Sequence, residues 1–457
     1  MDEQKKIPPL GVGRERAGRF FRNGRGFCAL LTAAMLFCSG TASGAADAPG
    51  SSPKIYSSSD PRLDLGVARF PNGISLRFRA GLGSGAFRHP TMPPMVLQTI
   101  TDAGPLFGCK KGAKLTTLTR DALCAGLKKA LIHPLPAYAP SIYTLRLDAD
   151  GRFRVLDSVV LKDRDGKPLS GLFLPPGKGD SRPAFDAEGK ALKRDMAAVD
   201  PEAMVRLGDG SYWIADESAP SLLRVSPSGR VTLRLVPFGM ESGIRTERYQ
   251  VSGGLPRMLA KRRRNRGLES LALSPDERFL YFATQGPLAN PRAKDAKRSR
   301  NIRLYKFDRT AQKAVGEFVY VLERPESFRR DDSDKQSAVK ISAMTAIGGD
   351  RLLVLERIRK STKLFAVDLG TATNILGSRW DRESTRPSLE QILVSRSAIR
   401  PVSKALAFDG DAYGDIPEKL EGMALLGDGT IALLNDNDFG IEGAPSLIAV
   451  IKPRIGK

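Results

Sequence analysis

Four stretches of this chain repeat one pattern, and internal repetition constrains a fold more tightly than composition does. Two of them run from Pro201-Glu202-Ala203-Met204 to Trp213-Ile214-Ala215-Asp216-Glu217 and from Leu268-Glu269-Ser270-Leu271 to Phe282-Ala283-Thr284-Gln285. The others run from Ile341-Ser342-Ala343-Met344 to Val354-Leu355-Glu356-Arg357 and from Leu420-Glu421-Gly422-Met423 to Leu434-Asn435-Asp436-Asn437-Asp438. Each opens on Glu (once Ser), alternates apolar residues, reverses, turns apolar again and closes on a polar cluster. Alternation of period two is the pattern of a strand with one buried face. Asp209-Gly210 and Asp428-Gly429 supply the reversal, because a tight hairpin needs the positive φ that Gly tolerates. Asp276-Glu277 and Gly349-Asp350 stand at the same point in the other two. Folding there sets the opening Glu beside the closing acid at the open end of a hairpin. Hairpins packed around an axis would then present a ring of acidic side chains at one mouth.

A second hairpin-like element follows each of the four, as in Ser221 to Leu233 and Asn301 to Val321. Two hairpins per unit make a four-stranded sheet, the blade of a propeller. Gly83-Ser84-Gly85 resembles a fifth opening, with its close at Val96 to Asp102, so openings fall at 84, 202, 269, 342 and 421. The first gap, 118 residues, exceeds the later ones of 67, 73 and 79 and leaves room for one divergent unit over 141–173. The expectation is an all-β propeller of about six four-stranded blades over residues 62–457, with strands within 63–78 completing the last sheet. The 45 Gly and 31 Pro suit short strands and turns. Charged insertions at 162–167, 175–193, 240–266, 289–300, 324–340 and 378–400 belong outside the sheets.

Residues 1–46 read as an export signal: a basic stretch, an apolar run over 27–38 too short to span a membrane, then small residues with cleavage near Ala45-Ala46. Residues 47–61 read as a flexible linker. The mature protein is thus expected to be periplasmic or secreted, with no integral membrane span. Cys28 and Cys38 leave with the signal, so Cys109 and Cys124 remain and, in an oxidising compartment, favour a disulfide over two buried thiols. The net charge of +22 points to anionic surroundings, such as a phosphate-bearing ligand or the anionic envelope surface. Nucleic acid is disfavoured, because the basic runs 261–264 and 294–300 carry no aromatics for stacking.

Three strings carry a resemblance: Asp200-Pro201-Glu202-Ala203-Met204 with Tyr212 to Glu217, Asn265-Arg266-Gly267-Leu268-Glu269 running on to Asp276, and Leu420 to Leu425 with Asn435 to Gly440. Together they resemble the phytase-like β-propeller family, whose members are described as having esterase-like activity, over residues 62–453. The resemblance implies an exported propeller related in architecture to calcium-dependent phytases. Ser342, and Thr284-Gln285, stand where the pattern expects acids and leave the ring incomplete.

The candidate metal ligands are Glu202, Asp216, Glu217, Glu269, Glu356, Glu421, Asp436 and Asp438, with Asp102 from the first unit. Calcium takes six to eight oxygen ligands, which carboxylates from several blades can supply. Arg266 and Arg357, each close to a ring carboxylate, are placed to bind the anionic oxygens of a small ester or phosphoester substrate. The expected activity is cation-assisted hydrolysis of such an ester. The alternatives are carboxylates that only cap strand ends and pair with Arg206, Arg266 and Arg357, and a propeller that binds a ligand or partner without catalysis. A Ser-His-Asp esterase fits poorly: no Gly-x-Ser-x-Gly elbow exists, and the two histidines, His89 and His133, each precede a Pro. No catalytic residue is assigned.

Overall fold

The computed structural model describes residues 52–173 and 182–456. The expected export signal, with Cys28 and Cys38, lies outside the described residues, as do 47–51 of the expected linker. The alternating apolar segments form five sheets, each strand neighbour antiparallel except one. The first blade runs outward from Gly85–Phe87 through Val96–Ile100 and Ser141–Leu147 to Phe153–Val160. The second runs from Pro201–Arg206 through Tyr212–Asp216 and Ser221–Val225 to Val231–Pro237, with Gln250–Leu255 added in parallel at its edge. Leu268–Leu273, Phe279–Thr284, Asn301–Asp308 and Lys313–Val321 make the third. Lys340–Gly348, Arg351–Arg357, Thr362–Asp368 and Ser403–Asp409 make the fourth.

The fifth blade joins the two ends of the described chain. Leu420–Leu425, Ile431–Asn435 and Leu447–Ile451 are its inner strands, and Lys54–Ser57 is its outer one, paired from Lys54 opposite Val450 to Ser57 opposite Leu447. Part of the segment expected to be a linker is therefore the closing strand. The strands expected to close the ring, Asp64–Arg69 and Ser75–Arg79, instead form a separate hairpin.

The innermost strands contact one another in a closed circuit of five: Gly85–Phe87, Pro201–Arg206, Leu268–Leu273, Lys340–Gly348, Leu420–Leu425 and back to the first. This corrects the expectation of about six blades. Residues 141–160 are the outer half of the first blade, not an extra unit. The core follows the same count, with an apolar cluster at each seam between neighbouring blades. Trp213, Phe282, Tyr305 and Phe307 fill the seam between blades two and three, and Tyr281, Tyr320, Met344 and Phe365 the next. A propeller blade buries both faces, so burial of each large side chain, worth about 1.5–3 kcal/mol, holds two blades together.

The long first gap is filled by a cap inserted on the side where Val96–Ile100 ends and Pro201–Arg206 begins. It holds four two-residue strands, Phe107–Gly108, Leu131–Ile132, Ala184–Phe185 and Ala191–Leu192, and the helices Cys109–Thr116 and Arg120–Cys124. Thr119 caps the second helix by accepting from the Ala122 N–H. The disulfide between Cys109 and Cys124 ties the helices together, as the sequence led one to expect. Among the described residues no helix is long and apolar enough to cross a membrane.

Candidate functional site

The repeated opening residue has one structural role. In blade two Pro201 pairs with Asp216 and Ala203 with Ala215, so Glu202 is left out of the ladder. The same slip leaves out Glu269 in blade three, Ser342 in blade four and Glu421 in blade five. A bulge adds an unpaired residue and re-aims its side chain. Here it turns Glu202, Glu269 and Glu421 into a cavity of about 440 Å³ at the mouth of the central channel.

The closing residues obey strand parity. Asp216 and Glu356 lie opposite Pro201 and Ile341 and point into their blades, while the next residues, Glu217 and Arg357, line the mouth. Gln285 and Asp436 occupy the matching places in blades three and five. Two expected ligands are thereby corrected. Asp216 is fully buried against Arg234 at 2.9 Å and accepts from the Asp200 and Ala219 N–H groups. Glu356 is equally buried and meets Lys404, the Tyr320 hydroxyl and the Glu323 N–H. A one-residue step along a strand exchanges faces, and both acids fall on the wrong side of that step.

The other expected acids do converge. Asp102, Glu202, Glu217, Glu269, Glu421, Asp436 and Asp438 all line the cavity. Asp200, not among the expected ligands, joins them, and ligand oxygens of Asp200, Glu202 and Glu217 lie within 4.8 Å of one another. The approach is tight because residue 267 is Gly: a Cβ there would stand 2.2 Å from the Glu217 carbonyl oxygen. The Gly267 N–H donates to Glu217 Oε1 at 3.3 Å. Burial, reinforced by the neighbouring carboxylates, pushes Asp102, Asp200, Glu202 and Glu269 well above the usual carboxylate range.

Position by position, the mouth changes sign around the ring. Two residues before each bulge stand Asp200, Gly267, Lys340 and Lys419. Blade two thus presents Asp200, Glu202 and Glu217, whereas blade four presents Lys340 and Arg357, with Ser342 buried behind them. Ser342 accepts from Arg357 Nε at 2.9 Å, so the hydroxyl in the acidic slot orients a cation. Arg357 also donates to the Ile358 carbonyl at 2.8 Å and pairs with Glu421. Burial lowers its pKa to about 10. Lys340 lies 3.9 Å from Glu421 and is held well below the usual lysine value by burial and by Arg357 and Arg266. Lys419 contacts Asp438 and lies 3.7 Å from Asp436.

Arg266 stands behind this wall, hydrogen-bonded to Gln285 and to the Asn265 carbonyl, and does not itself line the cavity. His89 is held between Thr91 and Glu277, and His133 is buried in the cap near Arg194; neither lines the mouth. The residues that sequence reasoning missed, Asp200, Lys340 and Lys419, share one offset from the bulge. That offset was visible in the repeat, but a search confined to acids passes over two of the three.

Comparison with known proteins gives three kinds of match. The family model described as "Phytase-like: Esterase-like activity of phytase" matches residues 136–439. A stretch of 195 residues is 26% identical to an uncharacterized secreted protein of Arthroderma benhamiae, covering 37% of this chain and only 38% of that protein's length. Among solved structures, the calcium-binding protein regucalcin of Agrobacterium tumefaciens aligns over 83% of this chain and 96% of its own, at 10% identity and a TM-score of 0.34. A streptogramin B lyase aligns over 87% and 97%, at 11% identity and a TM-score of 0.28.

Proposed function

This chain belongs to the phytase-like family, and on that premise we propose that its mouth is a calcium-assisted site for hydrolysis of a small anionic ester or phosphoester. The observation that carries this reading is the division of one cavity into a carboxylate wall on blade two and a cationic wall on blade four. Asp200, Glu202 and Glu217 would hold the ion, with Glu269 and Asp102 beside them. An oxygen-only donor set drawn from a loop end and a bulge suits Ca²⁺. The mutual repulsion of these buried carboxyls is what a divalent cation would relieve. When bound, the ion supplies Lewis-acid polarisation of the ester and activation of water.

The chain's own residues orient the substrate. Lys340 and Arg357 receive the anionic oxygens, and Ser342 fixes the Arg357 guanidinium for that contact. In the reaction a water oxygen bonds to phosphorus or the acyl carbon, the bond to the leaving oxygen breaks, and the proton passes to that oxygen. We further propose export, supported by the leader-like residues 1–46 and by the secreted relative.

The test uses the full chain with phenyl phosphate and monophenyl succinate, in Ca²⁺ and in chelator, beside calorimetric Ca²⁺ titration. The expected result is calcium binding and turnover that chelator removes, both lost in Glu202→Gln with Glu217→Gln. Calcium binding without turnover on either ester would replace the enzyme by a binding propeller. No calcium binding would overturn the metal reading.

A further inference from the structure

The cavity has an apolar wall that neither a metal nor an anion requires. Leu106 and Phe173 come from the cap, Ile358 follows Arg357 in blade four, and Phe439 and Ile441 come from the loop after Ile431–Asn435. Four separate stretches of chain therefore bring apolar side chains to one charged mouth. The wall has firm backing. Phe439 and Ile441 pack into the same buried cluster as Phe107, Ile132 and the Cys109–Cys124 pair, and the Tyr138 ring meets Phe439 edge-on at 5.3 Å. Leu106 and Phe173 are only half-buried, so their surfaces remain open to an occupant.

The charges narrow the occupant further. Most cations at the cavity already face carboxylates, Arg357 and Lys340 at Glu421, Lys419 at Asp436 and Asp438, and Arg359 at Glu418, so a ligand bearing many negative charges finds few free partners there. One anionic group fits the Lys340–Arg357 wall, and the rest of the ligand must be neutral to lie against Leu106 and Phe173. A volume of about 440 Å³ bounds that remainder to a small group.

We propose that the mouth takes a small ester with a single anionic group and an apolar or aromatic remainder, and that Leu106 and Phe173 of the cap are its specificity-determining residues. The proposal rests on the site proposed above but names its ligand class, and it excludes polyphosphorylated polyols as preferred occupants. Apolar contact in a pocket discriminates by about tenfold to a hundredfold.

The deciding experiment is calorimetric binding to the full chain with saturating Ca²⁺ of two non-hydrolysable phosphonates, phenylphosphonate and methylphosphonate, and of the polyanionic ester inositol hexakisphosphate at concentrations that stay soluble with the ion. Phenylphosphonate should bind at least about tenfold more tightly than methylphosphonate. Leu106→Ala and Phe173→Ala should each shrink that ratio, with Phe173→Leu retaining most of it. Melting curves establish that the variants fold; where an alanine variant does not, the phenyl-to-methyl ratio of the unaltered chain still decides the ligand class. Equal affinity for phenyl- and methylphosphonate, tighter binding of inositol hexakisphosphate, or no binding of any would overturn the proposal. Selective binding without turnover of phenyl phosphate supports the ligand class while removing catalysis. Turnover without aryl preference keeps the catalytic reading and removes this one.

Discussion

At the scale of single residues, neighbours in sequence have opposite roles. Asp216 belongs to the blade and Glu217 to the mouth, because adjacent strand residues face opposite ways. Asp216→Asn strips the fully buried Arg234 of its counter-charge, and should cost about 3–5 kcal/mol in denaturant unfolding, with or without calcium. Glu217→Gln removes a carboxyl from a repelling cluster, and should alter metal-free stability by about 1 kcal/mol or less. The calcium-induced rise in melting temperature should vanish in Glu217→Gln and persist in Asp216→Asn. A reversed pair of results would place the ion inside the blade. The bulge makes the same point at Ser342. By its place in the repeat it is a missing acid; by its bond to Arg357 it positions a cation.

At the scale of elements, two features follow from how strands find partners. Lys54–Ser57 covers the outer edge of Leu447–Ile451, whose backbone donors and acceptors would otherwise be open. A chain beginning at residue 58 should therefore melt earlier than one beginning at 52 and associate on size-exclusion chromatography. Equal melting and a monomeric profile would mean that the fifth blade does not need its fourth strand. The cap depends instead on its cross-link. The disulfide closes a loop of 15 residues, for which the chain-entropy model gives about 3 kcal/mol. Cys109→Ser with Cys124→Ser should lose about that much of the cap's resistance to limited proteolysis, while the blades, held by their own seams, keep their melting transition.

At the scale of the whole molecule, a strongly basic protein gathers its strained carboxyls at one mouth, and pH should expose that arrangement. Asp102, Asp200, Glu202 and Glu269 have carboxyls raised in the folded state, so between the unfolded value near 4 and the raised values the native protein holds protons that the unfolded chain has released. Their stabilising contribution is full below that window and is lost as pH rises through it. Without divalent cations the melting temperature should fall as pH climbs from about 4 towards neutrality. Calcium should flatten the slope, and the gain from calcium should grow with pH. Glu317 adds a slope of its own, because burial raises it to about 7 despite Arg303. For that reason the control is Glu202→Gln with Glu269→Gln, which should make the metal-free curve shallower while Glu317, Asp102 and Asp200 keep part of its slope. An unchanged curve would show that the mouth carboxyls are not raised.

Much of this was legible in the chain. Alternation and turns are local, so the openings at 84, 202, 269, 342 and 421 marked the five inner strands, and the two cysteines left after an export signal, Cys109 and Cys124, pointed to the disulfide that ties the cap. What distance along the chain could not reveal was how the 118-residue gap is spent: on a cap and two outer strands of the first blade, not on a sixth blade. Nor could it show that residues 54–57 travel to the opposite end of the chain, since strand pairing is a contact between partners far apart in sequence. The composition of the mouth was decided the same way. A bulge and a one-residue parity step send Glu202 and Glu217 inward and Asp216 and Glu356 back into their blades, and only the closed ring brings the acids of blade two to face the cations of blade four across one cavity.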